Sequence, residues 1–252
     1  MGMPVAGRQT LLLIPGLLCD STVWRAQCAD LVDLADCIVA DHGDSDSLEN
    51  MARRALALVP GEASFALAGH SMGGRVALEI LRLAPARVTR IALMDTGYQA
   101  RPPGHAGEAE QTGRKALLDQ ARAQGMRAMG EAWSRGMLHP DRLGGPVQDE
   151  VLRMIERSTP ARFEAQIHAL LRRPDATPQL VALAAPTLLL CGRDDTWSPV
   201  SRHIEMQRLV PEAELVIIEN SGHMVTMERP VEVGQAMRKW LAARETNPGK
   251  PC

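Results

Sequence analysis

The sequence predicts an α/β fold, a mostly parallel sheet of about six strands with helices on both faces and a helical insertion interrupting it. Three observations predict it. Short apolar runs alternate with amphipathic stretches of helical period, which is the pattern of strand–helix–strand units. A serine between two glycines, Gly69-His70-Ser71-Met72-Gly73, stands where one such run passes into a helix. The alternation then lapses between about Tyr98 and Ala184, where helical stretches follow one another with no strand between them. With 252 residues, 45% of them hydrophobic and 23% charged, the chain can bury one sizeable core.

In chain order, residues 10–14 form the first strand, an apolar run ended by Pro15-Gly16. Residues 21–34 read as a helix behind an Asp-Ser cap, and 37–40 as a strand. Residues 46–59 follow as a helix, 64–68 as a strand, 72–83 as a helix and 88–94 as a strand. After the insertion come a strand at 187–191, a helix at 199–209 opened by Pro199, a strand at 214–218 and a helix at 230–243 opened by Pro230. Inside the insertion, helices are expected at 113–129, 130–137, 147–157 and 161–172, punctuated by Arg101-Pro102-Pro103-Gly104 and Leu143-Gly144-Gly145-Pro146. Residues 1–97 and 185–252 are thus expected to form the core and 98–184 a lid over one sheet edge. The tail from Thr246 to Cys252 is expected to fray.

Composition excludes several function classes. A net charge of −2 gives no footprint for nucleic acid, and 3% aromatic residues give no platform for stacking bases. The low aromatic count also predicts an aliphatic, Met-lined pocket. No run of about 18 apolar residues is present, so no membrane span is expected. The apolar stretch before Cys19 is broken by Pro-Gly and reads as a strand and its loop. Five cysteines, none spaced as CxxC, point to a reducing, cytoplasmic setting, and the nine-residue spacing of Cys19, Cys28 and Cys37 reads as chance. Neither a metal nor a cofactor is expected. A monomer and a homodimer are equally compatible with the sequence.

The chemistry lies in the strand–turn–helix around Ser71. Glycines at 69 and 73 let a sharp turn close, lifting the Ser71 hydroxyl above the sheet. There the N-terminus of the next helix offers free N–H groups to an oxyanion. The turn lacks the Lys-Ser/Thr of a phosphate loop. A serine hydroxyl needs a base oriented by a carboxylate, so an acid and then a histidine should follow. Two later strands supply candidates: Gly192-Arg193-Asp194-Asp195-Thr196-Trp197-Ser198-Pro199 and Ser221-Gly222-His223-Met224. His70 is expected to point away along the turn, and His42, His105, His139, His168 and His203 read as surface residues.

Outside the insertion, almost the whole chain resembles the α/β-hydrolase-fold serine hydrolases. The resemblance implies Ser71 as nucleophile, His223 of the Gly-His pair as base, and an acid in a G-x-x-D-x-x-x-P pattern. Asp195 meets that spacing with Gly192 and Pro199, with Asp194 and then Asp95 as alternatives. The loop Pro15-Gly16-Leu17-Leu18 stands where the family supplies one oxyanion donor, which implies the Leu17 and Met72 amides. Pro15 replaces a common histidine there. The nine residues before the first strand are too few for the family's usual leading hairpin, which leaves six strands. The chain is most similar to small bacterial esterases and lactonases of the pimeloyl-carrier-protein methyl ester esterase and 3-oxoadipate enol-lactonase type.

The resulting expectation is a carboxylic ester hydrolase acting on a small-molecule ester with a small or medium apolar acyl group. Lactonase or C–C bond hydrolase activity on the same triad is the alternative, and a non-catalytic receptor with a lidded pocket is the rival from another class. Met126, Met129, Trp133, Met137, Leu138 and Met154 either line that pocket or pack the lid, and Met224 is placed beside it. Arg172-Arg173 reads as solvated surface, a contact with a substrate carboxylate being the other reading.

Overall fold

A computed structural model describes residues 8–243. The terminal tail at Thr246–Cys252 lies outside them. The core elements are β1 (Gln9–Ile14), α1 (Arg25–Asp30), β2 (Ala35–Val39), α2 (Leu48–Leu56), β3 (Phe65–His70), α3 (Met72–Leu83) and β4 (Val88–Met94). Five helices follow: α4 (Gly104–Gln124), α5 (Met126–Met137), α6 (Pro146–Glu156), α7 (Pro160–Leu171) and α8 (Thr177–Val181). The last described elements are β5 (Thr187–Gly192), α9 (Val200–Leu209), β6 (Glu214–Ile218), α10 (Val225–Glu228) and α11 (Pro230–Ala242).

The six strands form one sheet in the order β2-β1-β3-β4-β5-β6, and all five pairings are parallel. Parallel strands covered on both faces need continuous apolar runs, and β3 and β5 are buried at every position. β4 and β5 are direct neighbours, with Ile91 paired to Thr187, so the helical segment leaves and rejoins the sheet between adjacent strands. Within that segment α5 packs on α4 and α6, and α4 on α7. The chain builds outward from β1 to β2 and then crosses to β3. Strand order therefore reverses between β1 and β3, where an open α/β sheet leaves a crevice at its C-terminal edge.

Three boundaries differ from the sequence expectation. The helix expected at 21–34 is a 3-10 turn at Ser21–Trp24 followed by the short α1, ended by turns through Leu34. α4 begins at Gly104, well before 113, and runs through Gly107 and Gly113. Interior glycines cost a helix about 1 kcal/mol each. Gly107 is nevertheless needed, because a Cβ there would lie 2.1 Å from the Pro102 carbonyl oxygen. The break with α5 falls at Gly125, at φ +89°, not at 129–130. The one-turn helices α8 and α10 are too short to show a periodic stripe. No helix among the described residues is long and apolar enough to cross a membrane.

Candidate active site

The loops after β1, β3, β4, β5 and β6 meet at the C-terminal edge of the sheet. Ser71 caps α3 at φ +57°, a conformation that costs a non-glycine residue roughly 1–3 kcal/mol and must be held by its surroundings. Its N–H donates to the Met94 carbonyl at 2.8 Å, and Thr96 Oγ1 donates to its carbonyl at 2.6 Å. The flanking glycines are sterically required. A Cβ on Gly69 would lie 2.3 Å from the Gly73 carbonyl oxygen, and one on Gly73 would lie 2.1 Å from that of Ile14.

The structure brings Ser71, His223 and Asp195 into one line. His223 Nε2 lies 2.7 Å from Ser71 Oγ, and its Nδ1 lies 2.8 Å from Asp195 Oδ2. Asp195 Oδ1 accepts the Trp197 and Ser198 amides at 2.8 and 2.9 Å. Burial works to raise the Asp195 carboxyl, but His223 and these amides override it and hold it at about 2. Such a line can pass a proton from Oγ to Nε2 while the carboxylate steadies the imidazolium that forms. The other two acids are elsewhere engaged. Asp194 is exposed and lies 3.7 Å from His139. Asp95 is fully buried and accepts the Gly192 and Val225 amides.

Opposite Ser71, the loop after β1 presents the Leu17 amide. Neither the Leu17 N–H nor the Met72 N–H, at the first position of α3, donates to a protein oxygen among the described residues. Both are open to an oxyanion. Leu18 is held at φ +60° by its N–H bond to Gln166 Oε1, 2.8 Å away on α7. His42 Nε2 is 2.8 Å from the Pro15 carbonyl. A carbonyl only accepts, so Nε2 carries the proton.

The histidine expectations need correction. His42, His70 and His203 are buried, at 2%, 0% and 0% exposure, because each has a backbone partner that makes burial tolerable. The His70 side chain is wholly internal, and its Nε2 donates to the His223 carbonyl at 2.7 Å. Only His105 and His168 are exposed, and His139 is half-buried.

A cavity of about 420 Å³, the size of a small-molecule site, opens on Ser71 and His223. Trp133, Met137, Met224 and Leu17 line it; Met129 does not. Met129, Met126, Leu138 and Met154 are instead buried in the packing of the helical segment. The walls also depart from the aliphatic expectation. Trp133 stacks on Trp197 with centroids 5.3 Å apart, and Trp197 leans on the His223 ring at 4.9 Å. Arg75, Arg114, Arg173, Arg202 and Glu110 also line it, beside the aliphatic Leu117 and Leu170. Arg172 is exposed as expected, but the Arg173 side chain is only 8% exposed. A residue count limits how many aromatic or charged groups a chain has; it does not say where the fold gathers them.

A model of the alpha/beta hydrolase family matches residues 11–236. The chain belongs to that family. Among its relatives is a putative carbamate hydrolase RutD of Pseudomonas savastanoi pv. phaseolicola, 26% identical over 250 residues, which span 93% of this chain and 94% of the relative. A pimeloyl-[acyl-carrier protein] methyl ester esterase of Photobacterium profundum is 27% identical over 207 residues, 78% of this chain and 77% of its own. A thermophilic esterase from Thermogutta terrifontis, solved with malate bound, superposes with a TM-score of 0.80 at 27% identity, covering 93% and 90% of the two chains. The protein is therefore an alpha/beta hydrolase in fold and a hydrolase in class.

Two polar residues of this hydrolase escape a motif reading. Glu228 is 5% exposed and accepts the Gly222, Met224 and His139 amides, which ties the His223 loop to the end of α5. It lies five residues beyond His223, with nothing local to mark its use. Gln166 did leave a signal: it interrupts the apolar stripe of Phe163, Ile167 and Leu170 on α7. A polar residue on a buried face needs a partner.

Proposed function

We propose that this hydrolase cleaves a carboxylic ester with a small or medium acyl group, through a covalent acyl-enzyme on Ser71. The observation that carries the reading is the unbroken line of hydrogen bonds from Ser71 Oγ through His223 to Asp195, at 2.7 and 2.8 Å. His223 takes the proton of Ser71 as Oγ attacks the carbonyl. The Leu17 and Met72 amides hold the oxyanion, and Asp195 orients the imidazole. His223 then protonates the leaving alcohol, and water attacks the acyl-enzyme with His223 again as base. The esterases among its relatives support the same class of bond. Residues 98–184 serve as the cap of this site, contributing Trp133 and Met137, on a core formed, among the described residues, by 8–97 and 185–243. The free thiols of Cys19, Cys28, Cys37 and Cys191 support a reducing, cytoplasmic setting.

A panel of 4-nitrophenyl esters of two to eight carbons tests the proposal. Ser71→Ala should lower kcat at least about a thousandfold, and a fluorophosphonate should label the wild type at Ser71. Turnover that survives the substitution, or labelling at another residue, would sink it.

A further inference from the structure

The four arginines around the cavity are unequally engaged. Arg173 gives Nη1 and Nη2 to Glu110 at 2.7 Å each, and Arg114 adds bonds at 2.9 Å. Burial works to raise the Glu110 carboxyl, but these guanidiniums hold it down at about 2. Among the described residues neither Arg75 nor Arg202 has a carboxylate within ion-pair distance, although Arg75 feels the charges of Glu110 and Asp175. Arg75 gives Nη1 to the Gln99 carbonyl at 2.8 Å, and Arg202 gives Nη1 to the Trp197 carbonyl at 2.8 Å and to Ser198 Oγ at 3.4 Å. Their remaining guanidinium N–H groups meet no acceptor among the described residues. Burial first, and then the charges of Arg173 and Arg202, bring Arg75 down to about 9, against an opposing pull from Glu110. Four guanidiniums around one carboxylate leave Arg75 and Arg202, both half-buried, with no ion-pair partner among the described residues, and an anion entering the cavity would supply one.

The geometry puts the unpaired pair beside the reacting serine. Arg75 lies one helical turn beyond Ser71, about 6 Å along the axis of α3. Gly97 makes room for both side chains: a Cβ there would lie 2.8 Å from Arg202 Cδ and 3.0 Å from Arg75 Nη2. Gly97 directly follows Thr96, whose hydroxyl holds the Ser71 carbonyl. Both arginines share one cavity with Ser71 and His223.

We propose that Arg75 and Arg202, backed by the field of Arg173 and Arg114, form an anion subsite, and that the ester substrate carries a free carboxylate a few bonds from the scissile carbonyl. A guanidinium fork matches a carboxylate in two parallel bonds, and two forks with open N–H groups can grip one from both sides. The proposal rests on Ser71 as nucleophile.

The test compares 4-nitrophenyl hydrogen glutarate with 4-nitrophenyl hexanoate, which share a leaving group and differ at the acyl end by a charge. Wild type should favour the half-ester in kcat/KM by roughly tenfold to a hundredfold, the worth of one or two charge-assisted bonds. Arg75→Gln and Arg202→Gln should each pull that ratio toward one, chiefly through KM, and Arg75→Lys should keep part of it. Equal kcat/KM for both esters in wild type, or a ratio that neither substitution moves, overturns the subsite and leaves the Ser71 reading standing. Binding is read apart from turnover on Ser71→Ala, where glutarate should raise the melting temperature and the added Arg202→Gln should abolish the rise. A rise as large with sodium phosphate overturns the carboxylate assignment. Full turnover by Ser71→Ala with glutarate binding intact would instead overturn the nucleophile and support the subsite.

Discussion

At the scale of single residues, the loop that carries His223, the proposed base, is held by a buried side chain that does not line the cavity. Glu228 gathers three amides, those of Gly222, Met224 and His139, from both sides of His223 and from the end of α5. In Glu228→Ala each of these buried donors is left unpaired, at about 1–3 kcal/mol apiece. Thermal denaturation should then show the melting temperature reduced by roughly 6 °C or more. Because the loop carries His223, kcat should fall while KM stays near its wild-type value. Glu228→Gln, which keeps one acceptor oxygen, should lie between the two. A melting temperature for the Ala variant within about 2 °C of wild type would mean that water satisfies the amides, and the positioning role would be lost.

At the scale of elements, α7 and the loop after β1 act as a pair. The Gln166 bond to the Leu18 amide holds a non-glycine residue at φ +60°, next to the open Leu17 amide. Gln166→Leu keeps volume and removes the acceptor, so Leu18 can relax and carry Leu17 with it. The expected result is a kcat lowered about tenfold, one hydrogen bond's worth, with little change in KM. Gln166→Glu, which restores an acceptor, should recover much of it; equal losses in both variants would assign the effect to packing. This pairing also marks where the sequence stopped being legible. All six strands were readable because each is a short apolar run between turn residues, and the Ser71 turn was readable because its glycines, serine and helix are contiguous. The cavity wall was not. Arg75, Arg114, Arg173 and Arg202 come from four separate stretches, and only the tertiary assembly brings them beside Ser71. Likewise Met129 and Met137 share α5, and only the packing of α5 against its neighbours decides that Met137 faces the cavity and Met129 the interior.

At the scale of the whole molecule, burying imidazoles around the site makes the fold sensitive to acid. Burial is the largest influence on His42, His70 and His203, and it holds all three below their ordinary value, His203 at about 4. The bonds of His203 belong to a neutral ring: Nε2 accepts the Thr96 amide at 3.4 Å, and Nδ1 faces the Pro199 carbonyl at 3.4 Å. An unfolded chain protonates this imidazole near pH 6.5, whereas the folded one resists until about pH 4. Between those values the unfolded state binds more protons, so stability is lost as pH falls through the window, by about 3 kcal/mol for His203 alone. Asp95 works in the other direction. Burial raises its carboxyl well above the ordinary value, so its contribution is present at low pH and lost as pH rises through the folded value. Asp195, held at about 2, loses its contribution only below about pH 4, outside most of the window. The difference between two proteins therefore isolates the histidine. Urea unfolding of wild type and of His203→Gln, at pH 7.5 and about pH 4.5, should give a variant that loses roughly 2–3 kcal/mol less on acidification. Parallel losses in the two proteins would remove His203 as a source of the acid sensitivity.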